Sequence, residues 1–364
     1  AWDVALAREL VATAALAPSG GNMQPWRWLL RDGRLFLFHD PARSESMTDF
    51  RGLAGMAALG AATESLRLAA HAKGLELAIE AFPGGGTSDL VTVFDRLAGP
   101  DALAEARWRE DLAPLLGARH TGRKSGPRRP LDPAALEGML AATRTVEGAD
   151  LQVVTSDAEL AEIGELMGAC DRLRLIDRRF NREMFREVRW TAEEAEATRD
   201  GTFVDSLELS AADRAALSMC RRAEALAFVG TFGGGRGLGK MAAKSIASAS
   251  AVGLLTVPAV SRADFFRGGR ALQRMWLTAH ALDVAVWPMT VLIYMFTRLA
   301  HGAGEGLDAD AIAELRRLRP RFERLFPGAP DRGEVLLFRL APAAEPSIRS
   351  LRRPVDEILA IRDR

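Results

Sequence analysis

The chain has 364 residues, about the length of two ordinary domains or one duplicated unit, which excludes a single small module. Hydrophobic residues make up 48% and charged residues 26%, enough for a sizeable core and too apolar for a disordered or collagen-like chain. Forty-eight basic residues balance 48 acidic ones, so no global charge draws the chain to nucleic acid or an anionic membrane, and any anion site must be local.

Only 4 of the basic residues are Lys against 44 Arg, and Asn occurs only at Asn22 and Asn181, a bias that makes any single Arg weak evidence of function. Cys170 and Cys220 lie on helix-like segments without CxxC spacing or a neighbouring His, the pattern of reduced, buried thiols. The N-terminus has no basic region ahead of its apolar stretch, which argues against a signal peptide and for a cytoplasmic protein. The sequence begins at Ala1 rather than Met, as a piece of a longer polypeptide would. Met275 to Ala300 is the most apolar window, but His280, Asp283 and Pro288 would be costly in a spanning helix. It reads as a helix, a turn and a second helix.

In chain order, Asp3 can cap a helix to about Ala17, ended by Pro18 and Ser19-Gly20-Gly21. Trp26–Leu30 and Leu35–Phe38 flank Asp32-Gly33, a strong hairpin signal. Leu53 to Lys73 is apolar on most faces, as a buried helix would be, and strands are predicted at Leu75–Phe82 and Leu90–Leu97. A helix from about Asp101 to Leu116 leads to the basic, Gly/Pro-rich stretch GARHTGRKSGPRRPL. Asp132-Pro133 opens a helix to about Thr145, Leu151–Val154 is a strand, and Ser156 with Glu159 forms a capping box for a long helix towards Trp190. Thr191 to Ser250 is loop-rich, with a helix after Ser210 and a glycine cluster at Gly233–Gly239. Ala251–Val257 is an apolar run, followed by helices at Asp264–Leu282, Val291–Ala300 and Ala309–Arg319, and a strand at Glu334–Leu340. Each half thus runs helix, strand, long apolar helix, strand, an α+β pattern that fits a duplication.

Four segments could carry chemistry. APSGGNMQPWRW, Ala17 to Trp28, exposes backbone N–H groups and small side chains before the amides Asn22 and Gln24; it can lie against a flat heterocycle or be an ordinary loop. Arg119-His120-Thr121-Gly122-Arg123 places Arg forks and a hydroxyl within five residues, as a phosphate site or a solvated linker would. Arg352-Arg353-Pro354 is an anion clamp or surface charge. Gly234 to Met241 fits GxxxxGK, but Met241 stands where a phosphate loop needs Ser or Thr to hold magnesium. No Cys/His/Asp cluster has metal spacing, and no nucleophile–His–acid set appears.

The Pro18–Trp26 segment resembles the Ser-x-x-Asn-x-Gln-Pro-Trp turn of FMN-dependent nitroreductases. Together with DPARSESMTDFRGLAGMAALGAATESLRLAAHAKG, RHTGR, DRLRLIDRRFNREMFREVRWT, FFRGGRALQRMWLTAHALDVAVWPMT and LRRPVDEIL, it is similar to the Acg-type branch, in which two nitroreductase-like halves share one polypeptide. The resemblance implies an α+β nitroreductase-like fold duplicated as an internal pseudo-dimer, with halves at 1–117 and 118–364 and a lid-like insertion at about 191–250.

By the same resemblance Arg119, Thr121 and Arg123 would hold the FMN phosphate with Arg352 or Arg353. Pro18, Ser19, Gly20 and Asn22, with Gln24, would form the turn against the flavin, and Pro288, Met289 and Thr290 would pass its pyrimidine and N5 edge. There is no Arg-x-Ser run before Ala17 and no second PSxxNxQPW, which implies one FMN per chain. Departures fall at Gly21, where His is usual, and at Gly52-Leu53-Ala54, where Gly-Arg-Glu is usual. The implied activity is hydride transfer through flavin N5 with NAD(P)H as electron donor and a small-molecule or peptide substrate. The alternatives are FMN sequestration without turnover, or a dehydrogenase domain serving a fused or partner ThiF-like adenylating enzyme. Assembly is expected as a monomeric pseudo-dimer or a homodimer, without nucleic acid or membrane.

Overall fold

The computed structural model describes residues 2–46, 48–97, 110–222, 240–328 and 331–362. Asp3 accepts from the Ala5 N–H at 3.3 Å and starts the helix Val4–Ala14. The hairpin then pairs β1 (Trp26–Arg31) with β2 (Arg34–His39) in register Trp26 with His39 and Arg31 with Arg34. Asp32 and Gly33 both take positive φ, 51° and 71°, the geometry a two-residue hairpin turn needs to follow strand twist. With β3 (Leu77–Ala81), β4 (Leu90–Arg96) and β11 (Leu359–Arg362), these strands form one sheet in the order β11-β1-β2-β4-β3.

The second sheet has the order β5-β8-β10-β9, from β5 (Asp150–Val154), β8 (Ala251–Val257), β9 (Val284–Pro288) and β10 (Gly333–Pro342). All its pairings are antiparallel, and β8 is buried at every position. Coverage of both faces explains why AVGLLTV reads as an unbroken apolar run without alternation. Between the sheets the helices Leu53–His71 and Arg262–Ala281 cross, and Glu64 on the first, fully buried, is ion-paired with Arg270 and Arg274 on the second. With 51% helix and 18% strand in separate layers, the fold is α+β.

Several boundaries differ from expectation for local reasons. The long helix after Ser156 is two helices, Asp157–Ile176 and Arg178–Arg186. Asp177 stands in extended backbone and its carboxylate accepts from the N–H groups of Arg179 and Phe180, so it caps a new helix instead of continuing the old one. The Met275–Ala300 window holds strand β9 between its helices, and the helix expected at Ala309–Arg319 runs on through Pro320 to Leu325. Of the helix expected over Asp101–Leu116, the described part is a 3₁₀ turn at Glu110–Leu115. β11 (Leu359–Arg362) returns from the C-terminus to lie parallel to β1, so the second half contributes to the first sheet.

In the loop-rich stretch, helices at Ala192–Thr198 and Ala211–Met219 bracket β7 (Thr202–Phe203), which pairs with β6 (Val188–Arg189). The glycine cluster Gly233–Gly239, and with it most of the GxxxxGK match, lies outside the described residues. Among the described residues, no helix is long and apolar enough to cross a membrane and no group of three or more His, Cys, Asp or Glu could hold a metal. Cys170 and Cys220 are both buried and unbridged.

Candidate functional site

The turn after the first helix has an unusual backbone. Ser19 is extended, and Gly21, Asn22 and Gln24 then take left-handed φ of 54°, 57° and 55°. Glycine adopts this region freely and Asn readily, but Gln must be held there. The hold is visible: the Gln24 N–H donates to Ser19 Oγ at 3.0 Å, Gln24 Nε2 donates to Arg199 O at 2.9 Å, and Gln24 Oε1 accepts from the Arg353 N–H at 2.9 Å. Asn22 Nδ2 donates to Gly201 O at 3.0 Å and Leu351 O at 3.1 Å, and its Oδ1 accepts from Arg352 Nη1 at 2.8 Å. The turn is therefore shaped by two segments distant in sequence, 199–201 and 351–353.

Three arginines stand next to it. Arg119 Nη2 donates to Leu16 O at 2.8 Å and its guanidinium lies 4.6 Å from the Trp276 ring centroid, a cation–π distance. Arg123 Nη1 donates to Ser206 O at 3.2 Å, and Arg352 donates through Nε to Ala15 O at 2.8 Å and through Nη2 to Leu16 O at 3.2 Å. Their partners are carbonyls, an amide and an indole face, not carboxylates. Burial, with repulsion from Arg352 and Arg349, lowers Arg119 to about 9, and burial lowers Arg123 and Arg352 to about 10. The Nε atoms of Arg119 and Arg123 are buried without a hydrogen-bond partner among the described residues. Burial of these cations, opposed at Arg123 by the attraction of Glu208, favours an anionic ligand that would supply charge and acceptors.

These groups open onto one cavity whose empty space, open mouth included, is about 930 Å³. Of the residues expected to bind a cofactor, Pro18, Ser19, Gly20 and Asn22 line it from the turn. Arg119, Thr121, Arg123 and Arg352 line it from the basic segments, and Pro288 and Thr290 from the end of β9. Gln24, Met289 and Arg353 do not. Gln24 is fully buried and braces the turn from behind, Met289 donates its N–H to Leu337 O at 2.7 Å, and Arg353 reaches Glu357 at 3.3 Å.

The cavity also has walls that sequence reasoning missed. Trp276, Trp287 and Tyr294 supply rings, and Ala54, Ala57 and Ala58 supply a small-residue floor from the central helix. Trp276 and Trp287 sit inside FFRGGRALQRMWLTAHALDVAVWPMT, so a signal was present; Thr202, which comes from β7, lies in the stretch of about 191–250 expected as an insertion. A backbone bond from the Gly201 N–H to Asn22 O at 3.2 Å carries that strand to the cavity.

The α+β scaffold thus gathers a cationic end, an aromatic wall and a small-residue floor around one cleft. No family model matches the chain. It is 33% identical over 347 residues to an uncharacterized protein of Mycobacterium tuberculosis (strain CDC 1551), covering 95% of this chain and 47% of that protein. It is 31% identical over 181 residues to a Mycobacterium tuberculosis protein named as the NAD(P)H nitroreductase acg, covering 49% of this chain and 52% of that one. The chain thus spans about half the length of the curated relatives it matches. Partial structural likeness extends to a Bacteroides fragilis nitroreductase with bound FMN (TM-score 0.36, 11% identity, 67% of this chain and 94% of that one). It extends also to the FMN-dependent nitroreductase NfnB of Mycobacterium smegmatis in complex with NADPH (TM-score 0.38, 13% identity, 68% and 96%).

Proposed function

We propose that the chain binds one FMN in this cavity and acts as an FMN-dependent oxidoreductase that takes electrons from NAD(P)H. The observation that carries this is the convergence of Arg119, Arg123 and Arg352, without a carboxylate among their hydrogen-bond partners, on the same cavity as the Pro18–Asn22 turn. The arginines and the Thr121 hydroxyl would hold the phosphate. The turn, the alanine floor and Pro288–Thr290 would hold the ring. When bound, FMN supplies hydride transfer through its N5. The chain's part is positional: carbonyls at Leu16 and Ala15 fix the two guanidinium forks before any ligand arrives, and Trp276 and Trp287 keep water from the cleft.

The site draws its turn from residues 1–117 and its arginines and Pro288–Thr290 segment from 118–364, as a pseudo-dimer of two halves would. We read the chain as such a duplication, able to complete its site as a monomer. The cofactor test is to saturate the purified chain with FMN and FAD separately, remove free flavin and quantify what stays. One FMN per chain is expected; FAD preference, no retained flavin or two FMN per chain would overturn the reading.

A second reading, FMN held without turnover, is favoured by one observation. The Gly201 N–H donates to Asn22 O and Thr202 lines the cavity, so the 199–203 segment is tied to the turn in a way that would narrow access. Anaerobic reduction by NADPH compared with dithionite separates the two: fast bleaching by both supports the oxidoreductase, and bleaching by dithionite alone supports sequestration.

A further inference from the structure

Beside the cofactor cavity lies a second chamber of about 610 Å³ including its mouth, and Gly20, Gly21, Ala54, Thr290 and Tyr294 line both. Its lining is mixed, with the Ser44, Ser46 and Thr48 hydroxyls and the charged Arg43, Arg174 and Glu187 beside Met23, Pro25 and Val291, and Tyr294 is its only aromatic ring among the described residues.

Glu187 follows the helix Arg178–Arg186, and its carbonyl accepts the Thr202 N–H at 2.7 Å, which fixes its backbone beside the flavin turn. Its side chain lies over Gly21: a Cβ at that position would fall on the Glu187 carboxyl and 3.2 Å from its Cβ. No hydrogen-bond donor among the described residues reaches this carboxyl. Asp49 across the chamber is different, for its two oxygens accept from the Ala54 and Gly55 N–H groups at 2.7 and 3.1 Å and are occupied in starting the central helix. Burial raises Glu187 to about 7 against the pull of Arg174 and Arg186, with Asp49 and Glu183 adding repulsion. An acid that changes charge near neutrality and faces an open chamber is placed to exchange a proton with whatever enters.

Resting on the FMN reading above, we propose that this chamber seats the electron acceptor and that Glu187 gives it the proton its reduction requires. The hydroxyl-rich, nearly ring-free lining selects a compact polar carbonyl-type acceptor over an extended aromatic one. The acceptor gains two electrons and one hydrogen as hydride from the reduced flavin. The O–H bond of the Glu187 carboxyl breaks as a new O–H bond forms on the acceptor oxygen, and the carboxylate left behind regains a proton from water.

The test compares FMN-loaded wild type with Glu187→Gln and Glu187→Asp. Each is reduced with dithionite and mixed in stopped flow, from pH 5.5 to 8.5, with p-benzoquinone, menadione or ferricyanide, the last taking electrons without a proton. The wild type should reoxidise fastest with p-benzoquinone, along a limb that falls through about pH 7. Glu187→Gln should lose about 10²-fold at pH 6 and the limb with it. Glu187→Asp, whose acid is drawn back by one methylene, should keep the limb at a lower plateau. Ferricyanide rates and FMN affinity should be unchanged. In the apoprotein, an infrared carboxyl band titrating near pH 7 should be present in the wild type and missing from Glu187→Gln. FMN binding with a wild-type rate and limb in Glu187→Gln, an equal plateau in Glu187→Asp, or a wild-type preference for menadione overturns this proposal alone. A wild type that takes up no FMN overturns the cofactor reading and this proposal with it.

Discussion

Gly60 and Gly269 meet the opposite helix in reciprocal fashion. A Cβ on Gly60 would overlap the carbonyl oxygen of Phe266, and a Cβ on Gly269 would overlap that of Ala57, so each glycine faces the residue three before the other. The two central helices cross where neither carries a side chain, and their backbones touch. The exchange of 57 with 266 and 60 with 269 is what a twofold relation between the halves would produce, which supports the duplication we propose.

Gly60→Ala and Gly269→Ala should each lower stability by about 1–3 kcal/mol, because the opposing group is backbone and cannot turn aside. Gly86→Ala is the control, since its added methyl would meet nothing within 4 Å. Thermal unfolding should rank the three accordingly; an unchanged midpoint in both helix variants would show that the helices can part at no cost.

Glu64 is the electrostatic counterpart of that crossing. Burial pushes its carboxyl up, but Arg270, Arg274 and Arg67 outweigh burial and hold it well below the usual carboxylate range. A carboxyl lowered in the folded state stabilises fully above its unfolded value near 4.3, and the contribution is lost as pH falls through the folded value. Glu64→Gln should therefore cost about 3–5 kcal/mol at pH 7, by leaving buried guanidinium groups unpaired. Urea unfolding at pH 7 and at pH 3 should show the gap between variant and wild type persisting at neutrality and shrinking only in acid.

The proposed phosphate end divides two adjacent arginines. Arg352 turns into the cavity and Arg353 outward to Glu357. Charge-assisted hydrogen bonds contribute about 1.5–3 kcal/mol, so Arg352→Ala and Arg119→Ala should each weaken FMN binding by roughly 10- to 150-fold. Arg353→Ala should change it less than Arg352→Ala, and exposed Arg316 should not matter. Fluorescence titration of the apoprotein measures all four, and a larger loss at Arg353 than at Arg352 would reverse this assignment.

Asp200 fastens the 199–203 segment, ion-paired to both Arg43 and Arg189 while buried. Asp200→Asn should loosen the segment and speed flavin reduction by NADPH at least several-fold if it restricts access. Removal of residues 200–240 goes further, because it deletes the Gly201 carbonyl that orients Asn22, and should weaken FMN binding as well. Stopped-flow reduction at matched flavin content tests the first expectation, and flavin titration the second.

Much of the fold was legible because its signals are local. The Asp3 cap, the Asp32-Gly33 turn, the Ser156 capping box and the continuous apolar run of β8 each depend on residues within a few positions, where hydrogen-bonding reach and side-chain period act directly. The sequence by itself also singled out the turn and the two basic segments, which the fold brings to one cavity. Tertiary structure alone decided what depends on partners far along the chain. β11 is four residues long and becomes a strand only against β1. The choice of Arg352 over Arg353 rests on carbonyls at Ala15 and Leu16 more than 330 residues away. Thr202 and Glu187 approach the turn only because Gly201 bonds to Asn22 and β6 pairs with β7. Spacing within a segment cannot encode these approaches, since they follow from how separate elements pack, and in packing the chain set one acid beside a turn already marked by its sequence.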